Sequence, residues 1–256
     1  MVDLRFGNCL ELAKELDDNS INVTVTSPPY NKRGVGGGIF RKIKYDTFDD
    51  TLPEEEYQQQ QIDLLDTIYD KTVEGGSFFY NHKVRYFDGG SISPWEWLTK
   101  SKWNIREEII WARGSGPEIS GYRFIQQDER IYWLCKGKKH PRLPRECANY
   151  GSVWKFGPDM KNDHPAPYPL ILPVRCIQSV LPETGGLVLD PYSGSGTTGV
   201  AAKLLGHDYI GFDLSEKYLG EAKERIENPN DRDLKKFKEC AIMESVPENN
   251  LESFFS

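Results

Sequence analysis

The stretch Leu187-Val188-Leu189-Asp190-Pro191-Tyr192-Ser193-Gly194-Ser195-Gly196-Thr197-Thr198-Gly199 leaves the chain few folds to choose from. An apolar run ends in an acid, a glycine turn follows, and a helix opens that runs through Val200 to Leu205. Tyr209-Ile210-Gly211-Phe212-Asp213 then reads as a second short strand closing on another acid. This is a βαβ unit with Asp213 where a ribose hydroxyl pair would be read. Gly194 to Gly199 satisfy G-x-G-x-x-G, a pattern that NAD, FAD and S-adenosylmethionine sites share. The Asp190-Pro191 start favours S-adenosylmethionine, whose methionine end carries a cation and no pyrophosphate. A dinucleotide-dependent oxidoreductase would fit the same unit.

A second motif stands far away in the chain. Ile21-Asn22-Val23-Thr24-Val25, a β-branched run of the kind found in buried parallel strands, leads into Thr26-Ser27-Pro28-Pro29-Tyr30. Each proline fixes φ near −65° and removes a donor, so the segment stiffens into a corner. A hydroxyl, a carbonyl and a ring are then held at the carboxyl end of a strand, where open α/β sheets place their ligands. The oxidoreductase reading gives this corner nothing to do.

Together the two motifs resemble the DNA methyltransferases that modify exocyclic amino groups, cytosine N4 or adenine N6. The order, TSPPY first and DPYSGSGTT last, resembles their permuted β group. Further family-like pieces are Gly7-Asn8-Cys9-Leu10-Glu11, Gly75-Gly76-Ser77-Phe78-Phe79-Tyr80, Asp128-Glu129-Arg130-Ile131-Tyr132-Trp133 and His164-Pro165-Ala166-Pro167-Tyr168-Pro169. The resemblance covers nearly the whole chain. It implies an α/β, Rossmann-like methyltransferase fold, a mostly parallel seven-stranded sheet with an antiparallel edge strand and helices on both faces. It also implies a single permuted domain over 1–256, with a catalytic region at about 1–135 and a short target-recognition segment at about 137–163. A cofactor region at about 164–226 and an acidic tail at about 227–256 complete it.

The site residues follow from the same likeness. Ser27, Pro28, Pro29 and Tyr30 are the catalytic corner. Amino nitrogens of the bases are poor nucleophiles because the lone pair is delocalised into the ring. Accepting hydrogen bonds from both amino protons would draw the nitrogen toward tetrahedral geometry, and Ser27 Oγ and the Pro28 carbonyl are the acceptors on offer. Tyr30 is expected to stack its ring face on a base rotated out of the duplex, an interaction worth about 1–3 kcal/mol against a flipping cost of about a few kcal/mol. S-adenosylmethionine is the implied cofactor. Asp213 and Leu214 would lie at its ribose, and Asp190, Tyr192, Ser193, Gly194, Ser195, Gly196, Thr197 and Thr198 around its methionine end, at a helix N-terminus. Asn8 and Cys9 resemble the family's adenine-contacting turn, with Asn where the usual acid stands. His164, Pro165 and Ala166 complete the set. The sulfonium methyl is already activated, so no metal is needed. Ser rather than Asp at the first catalytic position resembles the cytosine-N4 members, with adenine N6 as the alternative.

Composition fits this reading. Five scattered cysteines without a C-x-x-C pair suggest reduced thiols and a cytoplasmic setting, with neither zinc nor disulfide framework. No cysteine follows a proline, so the covalent nucleophile of a carbon-5 methylase is missing. No apolar run reaches membrane-spanning length. The net charge of −7 conceals two basic stretches without an acid, Lys32, Arg33, Arg41, Lys42 and Lys44 in 31–45, and Lys136, Lys138, Lys139, Arg142 and Arg145 in 136–145. Both read as loops facing double-stranded DNA. The short recognition segment leaves room for a homodimer, and the family for a cognate restriction endonuclease.

Patterning places a strand and helix in 4–16, and a helix from Pro53 to about Val73 stopped by Gly75-Gly76. It places a strand at 77–80, paired strands at 106–112 and 130–135, and helices at 169–180 and 215–226. Residues 85–94 read as loop, and 229–256 as a polar, loosely held tail.

Overall fold

The computed structural model describes residues 1–31, 52–87, 89–114, 121–158, 168–181 and 185–242. Lys32, Arg33, Arg41, Lys42, Lys44, His164, Pro165 and Ala166 lie outside the described residues.

In chain order the elements are β1 (Val2–Phe6), α1 (Cys9–Lys14), β2 (Ile21–Thr26), α2 (Glu54–Lys71), β3 (Thr72–His82), β4 (Arg85–Phe87), β5 (Gly90–Ile92), α3 (Trp95–Leu98), β6 (Asn104–Ala112) and β7 (Asp128–Cys135). They continue as α4 (Arg145–Ala148), β8 (Val153–Lys155), α5 (Ile171–Val180), β9 (Leu187–Asp190), α6 (Thr197–Leu204), β10 (Asp208–Asp213), α7 (Glu216–Glu227) and α8 (Asp231–Cys240). Eight strands form one sheet in the order β1-β10-β9-β2-β3-β7-β6-β8, and β4 and β5 form a separate hairpin. From β1 to β3 every neighbour is parallel. β7 runs against both β3 and β6, and β8 returns parallel to β6. The sheet thus has one strand more than expected, and its antiparallel strand, β7, lies between β3 and β6 instead of forming the edge.

Period-2 alternation distributes the core over both faces. Val23, Val25, Phe79, Ile131, Trp133 and Val188 pack with α5, α6 and α7. Phe78, Tyr80, Tyr132, Leu134 and Leu189 pack with α1, α2 and α3 on the other side. Glu54, Glu55 and Glu56 occupy the first turn of α2, as its sequence suggested. The helix yields at Thr72, where the backbone turns extended, and β3 begins there instead of after the glycines. Gly76 is obligatory within β3, because a Cβ would lie 2.4 Å from Thr72 Cγ2 and 3.0 Å from the Asn22 carbonyl.

The polar tail contains structure that its composition hides. Asn230 caps α8 by accepting the backbone N–H of Arg232 and Asp233. Phe237 and Asp233 are buried, and α8 packs on α5 and α6. Residues 231–240 are therefore a docked helix and not a loose tail. A helix with so few apolar positions depends on the one it buries fully. Phe237→Ala is expected to cost about 3–5 kcal/mol of stability by urea unfolding. A loss below about 1 kcal/mol would show that α8 contributes little to the fold.

Candidate active site

The two motifs meet because β2 and β9 are neighbours in the sheet, with Val23 opposite Val188 and Thr24 opposite Leu189. Their carboxyl ends are tied side chain to side chain: Thr26 Oγ1 donates to Asp190 Oδ1 at 2.6 Å. The same oxygen accepts the Tyr192 N–H at 3.1 Å, and Oδ2 accepts the Tyr168 hydroxyl at 3.0 Å. Tyr168 also hydrogen-bonds Thr198. Asp190 is fully buried, and that burial raises its pKa to about 6 against the opposing pull of these donors. Its first role in the structure is to bind three segments into one corner.

Around that corner the residues expected at a cofactor gather at the carboxyl ends of β1, β10 and β9. Asp213 Oδ2 accepts the Gly194 N–H and Oδ1 the Ser215 N–H, each at 2.9 Å, and burial raises its pKa. Leu214 is half-buried beside it. The Gly7 N–H reaches the Asp213 carbonyl at 3.0 Å, which sets the Asn8-Cys9 turn beside Asp213. Asn8 Oδ1 caps α1, and Cys9 hydrogen-bonds Tyr192. Ser193 Oγ pairs with the Tyr209 hydroxyl at 2.9 Å. Gly196 has φ of +74°, and a Cβ there would lie 2.9 Å from that of Ala222, so the loop needs glycine both for its turn and for its approach to α7. The hydroxyls of Thr197 and Thr198 are engaged internally, Thr197 with Arg225 and Thr198 with Tyr168 and the Val25 carbonyl. Arg225 also donates to Ser195 and forms a two-pronged pair with Asp233 of α8, at 2.8 Å on each prong. Helix α8 thereby braces the glycine loop.

On the other side of β2, the Ser27–Tyr30 corner is built into a polar cluster. Ser27 Oγ and Tyr30 Oη are 2.7 Å apart, and Tyr30 Oη donates to Glu129 Oε2 at 3.0 Å. Asn81 Nδ2 lies 2.9 Å from both Tyr30 Oη and Glu129 Oε2, and 3.3 Å from Ser27 Oγ. Glu129 Oε1 receives Arg113 Nη1 at 2.6 Å and Lys83 Nζ at 3.3 Å. Burial alone would raise the Glu129 pKa, but Lys83, Arg113, Asn81 and Tyr30 together hold it below the ordinary carboxylate value. The Tyr30 ring packs at 4.5 Å, tilted 40°, on His82. Tyr57 donates to the Pro29 carbonyl at 2.8 Å, and its oxygen also contacts His82 Nε2. Asn31 turns the chain out of the corner with φ of +49°, a conformation costly for most side chains. Its Nδ2 holds it there by donating to the Leu52 carbonyl and to Glu54. Arg85 grips Glu54 with two bonds of 2.6 Å and fixes the start of α2 to the corner.

Sequence reasoning found the corner and missed its support: Asn81, His82, Lys83, Arg113 and Glu129. The signal was present. Asn81-His82-Lys83 interrupts an apolar strand at the carboxyl end, and Glu129 opens the antiparallel strand that starts at that same end.

Residues 21–224 match the DNA methylase family N6_N4_Mtase. The chain belongs to this family. Among its relatives, the type II methyltransferase M.ScaI of Streptomyces caespitosus is 28% identical, over 88% of this chain and 81% of its own. M.SmaI of Serratia marcescens is 27% identical, over 86% and 89%. The fold is shared with PvuII DNA methyltransferase (cytosine-N4-specific), at TM-score 0.70, 18% identity and coverage of 93% and 90%. It is also shared with the Thermus thermophilus protein TTHA0409 complexed with S-adenosyl-L-methionine, at TM-score 0.65, 23% identity and coverage of 88% and 93%. Membership in a DNA methylase family sets the oxidoreductase reading aside.

Within this methylase the described basic residues are not all at the site. Because β7 runs antiparallel, the chain leaves it at the amino end of β3. There Lys136 exchanges backbone bonds with Gly75 and Gly76, and Lys139 lies against Gly75. Lys138 and Lys139 therefore sit at the end of the sheet away from Ser27. Arg142 and Arg145 follow on the way into α4.

Asp190 gives this methylase a measurable pH signature. Its folded pKa of about 6 exceeds the unfolded value, so the native state takes up the proton first as pH falls. Acidification from about pH 7.5 to about pH 5 should favour the wild type over Asp190→Asn by on the order of 1 kcal/mol. Urea unfolding of both at the two pH values checks this, and an unchanged difference would refute it.

Proposed function

We propose that this chain transfers a methyl group from S-adenosylmethionine to the exocyclic amino group of a base flipped out of duplex DNA, with cytosine N4 as the target atom. The observation that carries the reading is the Thr26–Asp190 contact, which makes one continuous site of the Ser27–Tyr30 corner and the glycine loop. Bound S-adenosylmethionine supplies a methyl already activated on a sulfonium. The chain's own residues would hold it: Asp213 would accept from the ribose hydroxyls, the N-terminus of α6 would meet the methionine carboxylate, and the Asn8-Cys9 turn would meet the adenine. The internally bonded Thr197 and Thr198 hydroxyls shape the loop in this reading, and the backbone of the turn makes the contact.

At the corner, Ser27 Oγ and the Pro28 carbonyl accept the two amino protons, and Tyr30 flanks the base. Catalysis then reduces largely to in-line placement and exclusion of water. Ser27, standing where the adenine-modifying pattern has Asp, favours cytosine. The DNA approaches the carboxyl end of the sheet, where Arg123 lies 4.9 Å over the Tyr86 ring and Phe124 is 99% exposed. Lys32, Arg33, Arg41, Lys42 and Lys44 contribute phosphate contacts, as do Arg142 and Arg145 where the duplex extends past the site. A cytoplasmic setting, a homodimer and a companion endonuclease belong to the same proposal. Among the described residues no helix is long and apolar enough to cross a membrane.

Modified-base sequencing of DNA from cells expressing the protein reads target sequence and methylated atom together. N4-methylcytosine at one recurrent sequence is expected, N6-methyladenine would move the assignment to the other base, and unmodified DNA would overturn the reading. Asp213→Ala loses the ribose acceptor and the hold on Gly194 together. At about 1.5–3 kcal/mol for each charge-assisted bond, S-adenosylmethionine affinity should fall ten-fold or more by calorimetry. Unchanged affinity would remove Asp213 from the site.

A further inference from the structure

The polar groups beneath Ser27 have one self-consistent set of proton directions, and it is dictated from Glu129. An ionised carboxylate accepts and never donates. Tyr30 Oη lies 3.0 Å from Glu129 Oε2, so the Tyr30 proton points at Glu129. With that proton committed, Tyr30 can only accept across its 2.7 Å contact with Ser27, and the Ser27 proton points at Tyr30. Asn81 agrees with this assignment. Turned over, its carbonyl would face a carboxylate oxygen at 2.9 Å, so its amide nitrogen must be inward, donating to Glu129 and Tyr30. Arg113 and Lys83 occupy the other Glu129 oxygen and keep the carboxylate ionised.

We propose that Glu129 is the positioning residue of this active site. Acting through Tyr30, it turns the Ser27 hydroxyl proton away from the target base, so that Ser27 Oγ meets the exocyclic amino group as an acceptor. The inference rests on the amino-methyltransferase reading above. A serine hydroxyl rotates freely and is donor and acceptor at once. An amino group conjugated into a ring offers protons and little lone-pair density, so a Ser27 proton aimed at it is wasted and repelled. The Glu129–Tyr30 pair removes that orientation. It also assigns the Tyr30 hydroxyl a role distinct from its ring.

Glu129→Gln would reverse the chain of directions, because the new amide keeps its oxygen for Arg113 and turns its nitrogen on Tyr30. It also leaves Lys83 and Arg113 without their anion, which can cost the fold. Tyr30→Phe carries the test instead, since it cuts the link and leaves the ion cluster whole. The measurements are single-turnover methylation of a duplex bearing the sequenced target, affinity for that duplex without cofactor, and melting temperature. They are made on Tyr30→Phe, Ser27→Ala and the double variant. Each single change should slow methylation about a hundred-fold, the scale of losing one preorganised polar contact. The double variant should be no slower than Ser27→Ala alone, because Tyr30 acts through Ser27, and duplex affinity should stay within about three-fold. Tyr30→Phe methylating near the wild-type rate would overturn the proposal, as would losses that multiply to about ten-thousand-fold in the pair. Failure of the underlying reading is distinguishable, since the wild type itself would then leave the duplex unmethylated.

Discussion

The site depends on a single strand pairing. β2 and β9 lie side by side at the centre of the sheet, and the hydroxyl that ends one is bonded to the carboxylate that ends the other. On one side of that seam the order β9-β10-β1 supplies the glycine loop and Asp213. On the other, β2-β3-β7 supplies Ser27, Asn81 and Glu129. The seam is a topological switch point of the kind at which open α/β sheets bind ligands. Permuting the order of the two halves along the chain leaves it intact, because parallel strands need only be adjacent in space.

Two buried carboxylates flank the seam, and the protein treats them in opposite ways. Asp190 is surrounded by hydroxyls and a backbone N–H, and burial dominates, raising its pKa to about 6. Glu129 is as deeply placed, yet Lys83 and Arg113 keep it below the ordinary value. The first arrangement suits a joint, where bonds survive protonation of the acid in altered form. The second suits a fixed electrostatic reference, whose sign must not change. Lys83 shows the complementary effect, with burial lowering its own pKa.

Much of this was legible in the sequence, for reasons that differ by element. The βαβ unit at 187–213 and the strand before TSPPY were readable because buried parallel strands are continuously apolar and end abruptly in polar residues. Helix α2 was readable from Pro53 and its acidic first turn, although its end was not. Thr72-Val73 prefers extended backbone, and β3 simply takes over from the helix. α8 escaped because only Phe237 and a few neighbours carry its packing, and the Asn230 cap was its strongest sign. The support beneath Tyr30 escaped for a deeper reason. Asn81, Arg113 and Glu129 come from three separate strands or strand exits, and only the β3-β7-β6 register brings them together. Lys138 and Lys139 read as DNA-facing because they belong to an acid-free basic run that follows the family-like Asp128–Trp133 stretch, but an antiparallel strand carries them to the opposite end.

The strand pairing also sets a timetable for the nascent chain. β3, β7, β6 and β8 are all synthesised before β9, so a half-sheet ending at β2 can assemble while its remaining neighbour is still unmade. Val23 of that edge waits for Val188, an interval on the order of ten seconds at about 5–20 residues per second. During that interval Ile21-Asn22-Val23-Thr24-Val25-Thr26 is an uncharged, β-branched open edge, of the type that pairs indiscriminately with other chains. The same permutation that leaves the finished site unchanged therefore places its cost on the ribosome, where the central strand of the sheet is for a time an open edge.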